Sequence, residues 1–108
     1  MIVTILNELQ HEVREFATAR DWLRYHTPKN LVMAIAGESG ELVAEFQWLT
    51  SEDSAPAKLT AGQRSAIESE MADVFIYLLR LSDVLQVDLA EIAQEKLKIN
   101  ETRFPILP

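Results

Sequence analysis

An all-α fold, a four-helix bundle, is predicted by three features of the sequence. Apolar residues recur at helical spacing, helix-start signals precede three of the apolar stretches, and no segment alternates with the period of a strand. The first helix is expected over residues 2–20, where Ile2, Ile5, Leu6, Leu9, Val13 and Phe16 fall on one face. Thr27-Pro28 has the form of an N-cap followed by proline in the first turn, which opens a second helix over about 28–49. The stretch TSEDSAPAK, residues 50–58, has the composition of a loop. Thr60 with Gln63 forms a capping box for a third helix that runs to about Leu85. Asp88 with Glu91 repeats the device for a fourth, ending near Thr102, and RFPILP follows as an extended tail.

The 108 residues are expected to form a single domain spanning 1–108, since 48% hydrophobic residues suffice for one small core. A formal net charge of −7 repels nucleic-acid backbones and anionic membranes, so neither is an expected partner. An anionic ligand would then require a bound divalent cation as mediator. The chain has no cysteine, which excludes disulfides, thiolate metal sites and thiol nucleophiles. The opening MIVTILNELQHEVREF carries acids in its first turns and no small-residue cleavage site, so no secretory leader is expected. No apolar run has the length of a membrane span, and a cytoplasmic location is expected.

Within the third helix, MADVFIYLLRLSDVL is apolar on nearly every side. Such a helix is buried on every side, and four helices of this length do not easily cover it within one protomer, the alternative being a monomer wrapped tightly around it. A homo-oligomer, dimer or tetramer, with this helix at the interface is therefore expected.

The chemistry concentrates in two acidic pairs. Glu38 and Glu41 stand three residues apart in AGESGELVAEFQW, and Glu70 and Asp73 repeat that spacing in ESEMADVF. Each pair projects from one helical face. The two pairs meet if their helices pack antiparallel about the 50–59 loop. Four clustered carboxylates repel one another, and a hard divalent cation removes that cost. Neither pair contains histidine, and His11 and His26 lie elsewhere, so all-oxygen ligation favours Mg²⁺, with Mn²⁺ as a substitute, over zinc or iron. Gly37 and Gly40 each cost roughly 1 kcal/mol against alanine in a helix interior, and are expected to let a facing helix, metal or phosphate approach.

E-x-x-E, twenty-eight residues, then E-x-x-D resembles the all-α nucleoside triphosphate pyrophosphohydrolases of the MazG-like superfamily. The segments RDWLRYHTPKNL, GESGEL, FQWL, ADVFIYLLRL, VDL and KLKINETRFP are similar, in order, to its dCTP pyrophosphatase-like branch, over roughly residues 12–105. The resemblance implies a MazG-type helical bundle. It further implies Mg²⁺-dependent hydrolysis of a (deoxy)nucleoside triphosphate, dCTP or a modified dCTP, to the monophosphate and pyrophosphate. Related helical scaffolds carry dUTPase-like and phosphoribosyl-ATP pyrophosphohydrolase activities, and a non-enzymatic oligomerisation module is the alternative from another class. Carried over residue by residue, Glu38, Glu41, Glu70 and Asp73 are implied as metal ligands; one carboxylate, Glu38 or Glu41, is expected to double as the general base. Trp22, His26, Trp48 and Tyr77 are implied as nucleotide contacts, and Lys29, Asn30, Lys96, Asn100 and Arg103 as polar contacts to phosphate or sugar. The sequence departs from the pattern at Val13, where eukaryotic dCTP enzymes carry a histidine near the base. Trp22 at the end of the first helix and Trp48 at the end of the second are separated by ~27 Å of helix. If both touch one base they come from different protomers, which places the pocket at a subunit interface.

Overall fold

The computed structural model describes residues 4–108 and is all-helical, with no strand among them. Four α-helices follow in order: α1 (Ile5–Ala19), α2 (Pro28–Phe46), α3 (Ala61–Val84) and α4 (Leu89–Arg103). Two short 3₁₀ turns, Leu23–Tyr25 and Pro56–Lys58, lie before α2 and α3. Ile2, assigned from the sequence to the first apolar face, lies outside the described residues.

Each helix begins where a short polar side chain can satisfy free backbone N–H groups. Thr27 Oγ1 accepts from the Asn30 N–H at 3.2 Å, and Pro28 occupies the first turn as expected. Thr60 and Gln63 complete the reciprocal box, with bonds of 3.1 and 2.9 Å. At α4 only half of the expected box forms: Asp88 accepts from the Glu91 N–H at 3.0 Å, while the return bond from Glu91 is not made. A further box, Thr4 with Asn7, starts α1.

The helix ends correct the sequence reading. α1 stops at Ala19, so Trp22 does not end a helix but lies past it. Asp21 takes a left-handed conformation (φ 56°), its N–H bonds to Thr18 O, and the Trp22 N–H bonds back to Ala17 O at 3.0 Å. This is the Schellman closure, made here with aspartate where glycine is usual. Gln86 (φ 56°) repeats it after α3, with the Val87 N–H on Ser82 O at 2.9 Å. α2 ends at Phe46, so Trp48 likewise stands beyond its helix.

The main packing is α2 on α3, supplemented by α1 on α3. Later residues of α2 meet earlier residues of α3: Leu31 and Ala34 share a cavity wall with Tyr77, whereas Glu38 and Glu41 meet Glu70. The two helices are thus antiparallel. Leu31 and Leu79 are the largest fully buried side chains, joined in the core by Ala17 and Ile67. That core is small. Met71, Phe75 and Ile76 of α3 remain exposed within the protomer, and beyond Ala90 every residue of α4 is exposed except the half-buried Asn100. The radius of gyration, 17.0 Å, exceeds the about 13 Å expected of a compact chain this long.

At the glycines, the expected close approach of a facing helix is not made within the protomer. A Cβ built at Gly37 or Gly40 would meet nothing within 4 Å. No facing helix of the same protomer uses their missing side chains, because both glycines lie on the exposed side of α2.

A charged cluster joins α1 to α3. Asp83 accepts from Arg14 through Nε at 2.8 Å and through the terminal nitrogen at 2.5 Å, and from Arg80 at 2.6 Å. The Arg14 bonds, followed by the charges of both arginines, hold the Asp83 carboxyl below its ordinary range against the opposing effect of burial. Arg80 is itself buried, and beside it Gln10 donates to Ser82 Oγ at 3.1 Å. Removing one partner of a buried pair leaves the other uncompensated. D83N should therefore destabilise the protein by about 3 kcal/mol in urea denaturation at neutral pH. Because the native pKa is depressed, the contribution of Asp83 is present above its ordinary carboxylate value and disappears as pH falls through the native one.

Candidate active site

The antiparallel register of α2 and α3 gathers carboxylates. Glu38 and Glu41 lie one turn apart on α2, and Glu70 faces them from α3, one oxygen of each lying within 4.8 Å of the others. Glu38 and Glu70 are half-buried and Glu41 is exposed. One oxygen on each of the half-buried pair, Oε2 of Glu38 and Oε2 of Glu70, is cut off from solvent and has no hydrogen-bond partner. Both carboxyls titrate above the ordinary range. For Glu38 the cause is first desolvation, then Glu41 alongside it, then the charges of Asp73 and Glu70. For Glu70 it is first desolvation, then Glu41, then Asp73 and Glu45.

Asp73 belongs to this field but not to the tight trio. One turn along α3 from Glu70, it lines an adjoining cavity of about 250 Å³ together with Val13, Phe16, Trp22, His26 and Tyr77. A second cleft, about 330 Å³, shares Trp22, His26 and Tyr77 and adds Asn30 and Leu31. Trp22 is fixed by the closure of α1 and by an edge-on contact with Phe16, ring centroids 5.7 Å apart. His26 follows the first 3₁₀ turn, its ring centroid 6.3 Å from that of Trp22. Its Nδ1 accepts a 3.1 Å hydrogen bond from Arg80 Nε. Asn30 donates to Tyr25 O at 3.0 Å, tying the turn to the start of α2.

Trp22, His26, Asn30, Asp73 and Tyr77 therefore line connected space beside the carboxylates. Lys29 is exposed at the start of α2, on a side chain that lines neither cleft. Trp48 is 89% exposed and lines neither. Lys96, Asn100 and Arg103 lie on α4, away from both clefts within one protomer. Sequence reasoning missed Phe16 as a support for Trp22, and it missed the contact of Arg80 with His26. The available signal was an arginine inside the apolar run VFIYLLRLSDVL, with an aspartate three residues on.

The arrangement defines a class: an acidic metal-type site opening onto an aromatic cleft. The carboxylates fit a hard cation, since the donor set is all oxygen and two buried oxygens lack any other partner. The family model described as MazG nucleotide pyrophosphohydrolase domain matches residues 26–107, and the chain belongs to this family. It is similar to dCTP pyrophosphatase 1 of Homo sapiens, 39% identical over 93% of this chain and 59% of the relative. It is also similar to dCTP pyrophosphatase 1 of Bos taurus, 37% identical over 94% of this chain and 60% of the relative. The chain thus spans about 60% of the length of the curated relatives it matches. A crystal structure of a pyrophosphatase from Archaeoglobus fulgidus superposes with a TM-score of 0.87 at 40% identity, covering 98% of this chain and 97% of that one.

A carboxyl whose native pKa is raised opposes folding above that value, and the penalty fades as pH falls toward its ordinary value. Free of divalent ions, the protein should therefore gain thermal stability as pH is lowered from neutrality into that window. E70Q should raise the metal-free melting temperature at pH 7; Mg²⁺ should raise that of the wild type and not that of E70Q, as measured by thermal scanning with EDTA or Mg²⁺.

Proposed function

We propose that this chain is one catalytic domain that hydrolyses a nucleoside triphosphate, dCTP or a modified dCTP, to the monophosphate and pyrophosphate. One observation carries the reading: carboxylates with unpartnered buried oxygens stand next to an aromatic cleft. Family membership and the similarity to dCTP pyrophosphatases support the nucleotide and the cytosine base.

Glu38, Glu41 and Glu70 would hold Mg²⁺, with Asp73 completing the set from the cleft side. When bound, the cation supplies charge neutralisation on the triphosphate and a water of lowered pKa. The chain's own residues do the rest. Trp22 offers a stacking face to the base, and Tyr77, one turn beyond Asp73, packs against base or sugar. Tyr77 stands seven positions after Glu70 on one side of α3, ~10 Å along the axis. That spacing lets a nucleoside lie in the cleft while its phosphates reach the acids. Water attacks the α-phosphorus, the bond to the bridging oxygen breaks, and pyrophosphate leaves. The water's proton goes to a carboxylate of α2, Glu38 or Glu41.

The active form is a homo-oligomer. Exposed Met71 and Phe75, one turn apart on α3, with Ile76 next to them, make an apolar face that a second copy covers; Leu97 and Ile99 are also exposed, on different sides of α4. Trp48, Lys96, Asn100 and Arg103, remote from the clefts of their own protomer, then serve a neighbour's.

A triphosphate panel assayed for pyrophosphate release should favour dCTP. E41Q and D73N should keep their circular dichroism and lose turnover roughly a hundredfold or more; retained activity in both rejects the site. Dilution below the dissociation point should abolish activity.

A further inference from the structure

His26 has two ring nitrogens, and the protein has already committed one. Arg80 Nε lies 3.1 Å from Nδ1, and an arginine can only donate. Nδ1 must therefore be the bare acceptor, and a neutral imidazole then carries its proton on Nε2. Arg80 is itself fixed, being buried and bonded to Asp83 at 2.6 Å, with Arg14 gripping the same carboxylate from α1. The chain Arg14–Asp83–Arg80–His26 thus runs from α1 through α3 to the cleft lined by Trp22 and Tyr77. Burial, and after it the charge of Arg80, also hold His26 below its ordinary pKa, which keeps the ring neutral.

We propose that Arg80, anchored by Asp83, is a positioning residue that locks His26 as the Nε2–H tautomer, so that the ring presents a hydrogen-bond donor to an acceptor on the nucleoside lying beside Trp22 and Tyr77. The tautomer half stands on the free protein alone; the nucleoside half rests on the function proposed above. The chemistry selects ligands with a carbonyl, imine or ether acceptor at that edge, and disfavours those that present a donor. Val13 of the same cavity wall has no hydrogen-bonding side chain, which leaves His26 as the imidazole available there.

The chain has two histidines, so ¹⁵N–¹H long-range correlation spectra of the 108-residue chain, with H11Q for assignment, report His26 directly. The wild type at neutral pH should show the Nε2–H pattern. R80M should convert it to a tautomer mixture and raise KM for the preferred triphosphate about tenfold, with kcat within about twofold. R14M, which contacts Asp83 but not His26, should keep the wild-type pattern. An Nδ1–H or imidazolium signature in the wild type, or an unchanged pattern in R80M, overturns the lock. Should R80M fail to fold, the wild-type spectrum decides by itself. A correct tautomer in a protein that hydrolyses no triphosphate rejects the proposed function and leaves the lock standing.

Discussion

Everything distinctive in this molecule depends on holding like charges together between two helices. Glu38 and Glu70 are partly desolvated beside Glu41, an arrangement that destabilises the fold by itself. It persists because α2 and α3 are pinned elsewhere. Fully buried Leu31 and Leu79 fix the pair from the other end of the antiparallel register, and threonine caps fix where each helix begins. The repulsion is local and the packing is distributed, so the chain can keep a costly site within a small core. The two buried oxygens without partners have the chemistry of a cation's seat rather than of a structural motif.

A second charged assembly has the opposite character. Where the acids are left unpaired, Arg14, Asp83 and Arg80 satisfy one another, and the aspartate is held ionised by its partners. One stretch of α3 thus carries an unsatisfied cluster early and a satisfied one late, with Tyr77 between them. The satisfied end serves as scaffold. Through Arg80 it reaches His26, on the segment before α2, so the histidine wall of the cleft is positioned by the same salt bridges that join α1 to α3.

The helices were legible because their start signals are local: Thr27 before proline, and Thr60 three residues before Gln63, act through bonds within one turn. The ends of α1 and α3 fall within one residue of the expected 20 and 85, although Asp21 and Gln86, not glycine, take the left-handed closing position. The end of α2 was less legible: the helix stops at Phe46 rather than 49, which leaves Trp48 beyond it. The acidic pairs were legible from spacing, yet spacing could not say that Asp73 would face the cleft while Glu70 joined Glu38 and Glu41. That difference arises from how α3 is rotated against α2, a tertiary matter. Gly37 and Gly40 suggested close approach, and within the protomer nothing approaches them. The Arg80–His26 bond joins residues fifty-four positions apart, beyond the reach of any local pattern.

The fourth helix carries its own consequence. At fifteen residues it is near the length where a solitary helix in water is as often melted as formed, and past Ala90 almost nothing in its own protomer shelters it. Its Asp88 cap sets where the coil begins to wind but supplies no face to lean on. In the homo-oligomer proposed above, the copy that covered this helix would also hold its last turns wound, and encounter and folding would be one event there.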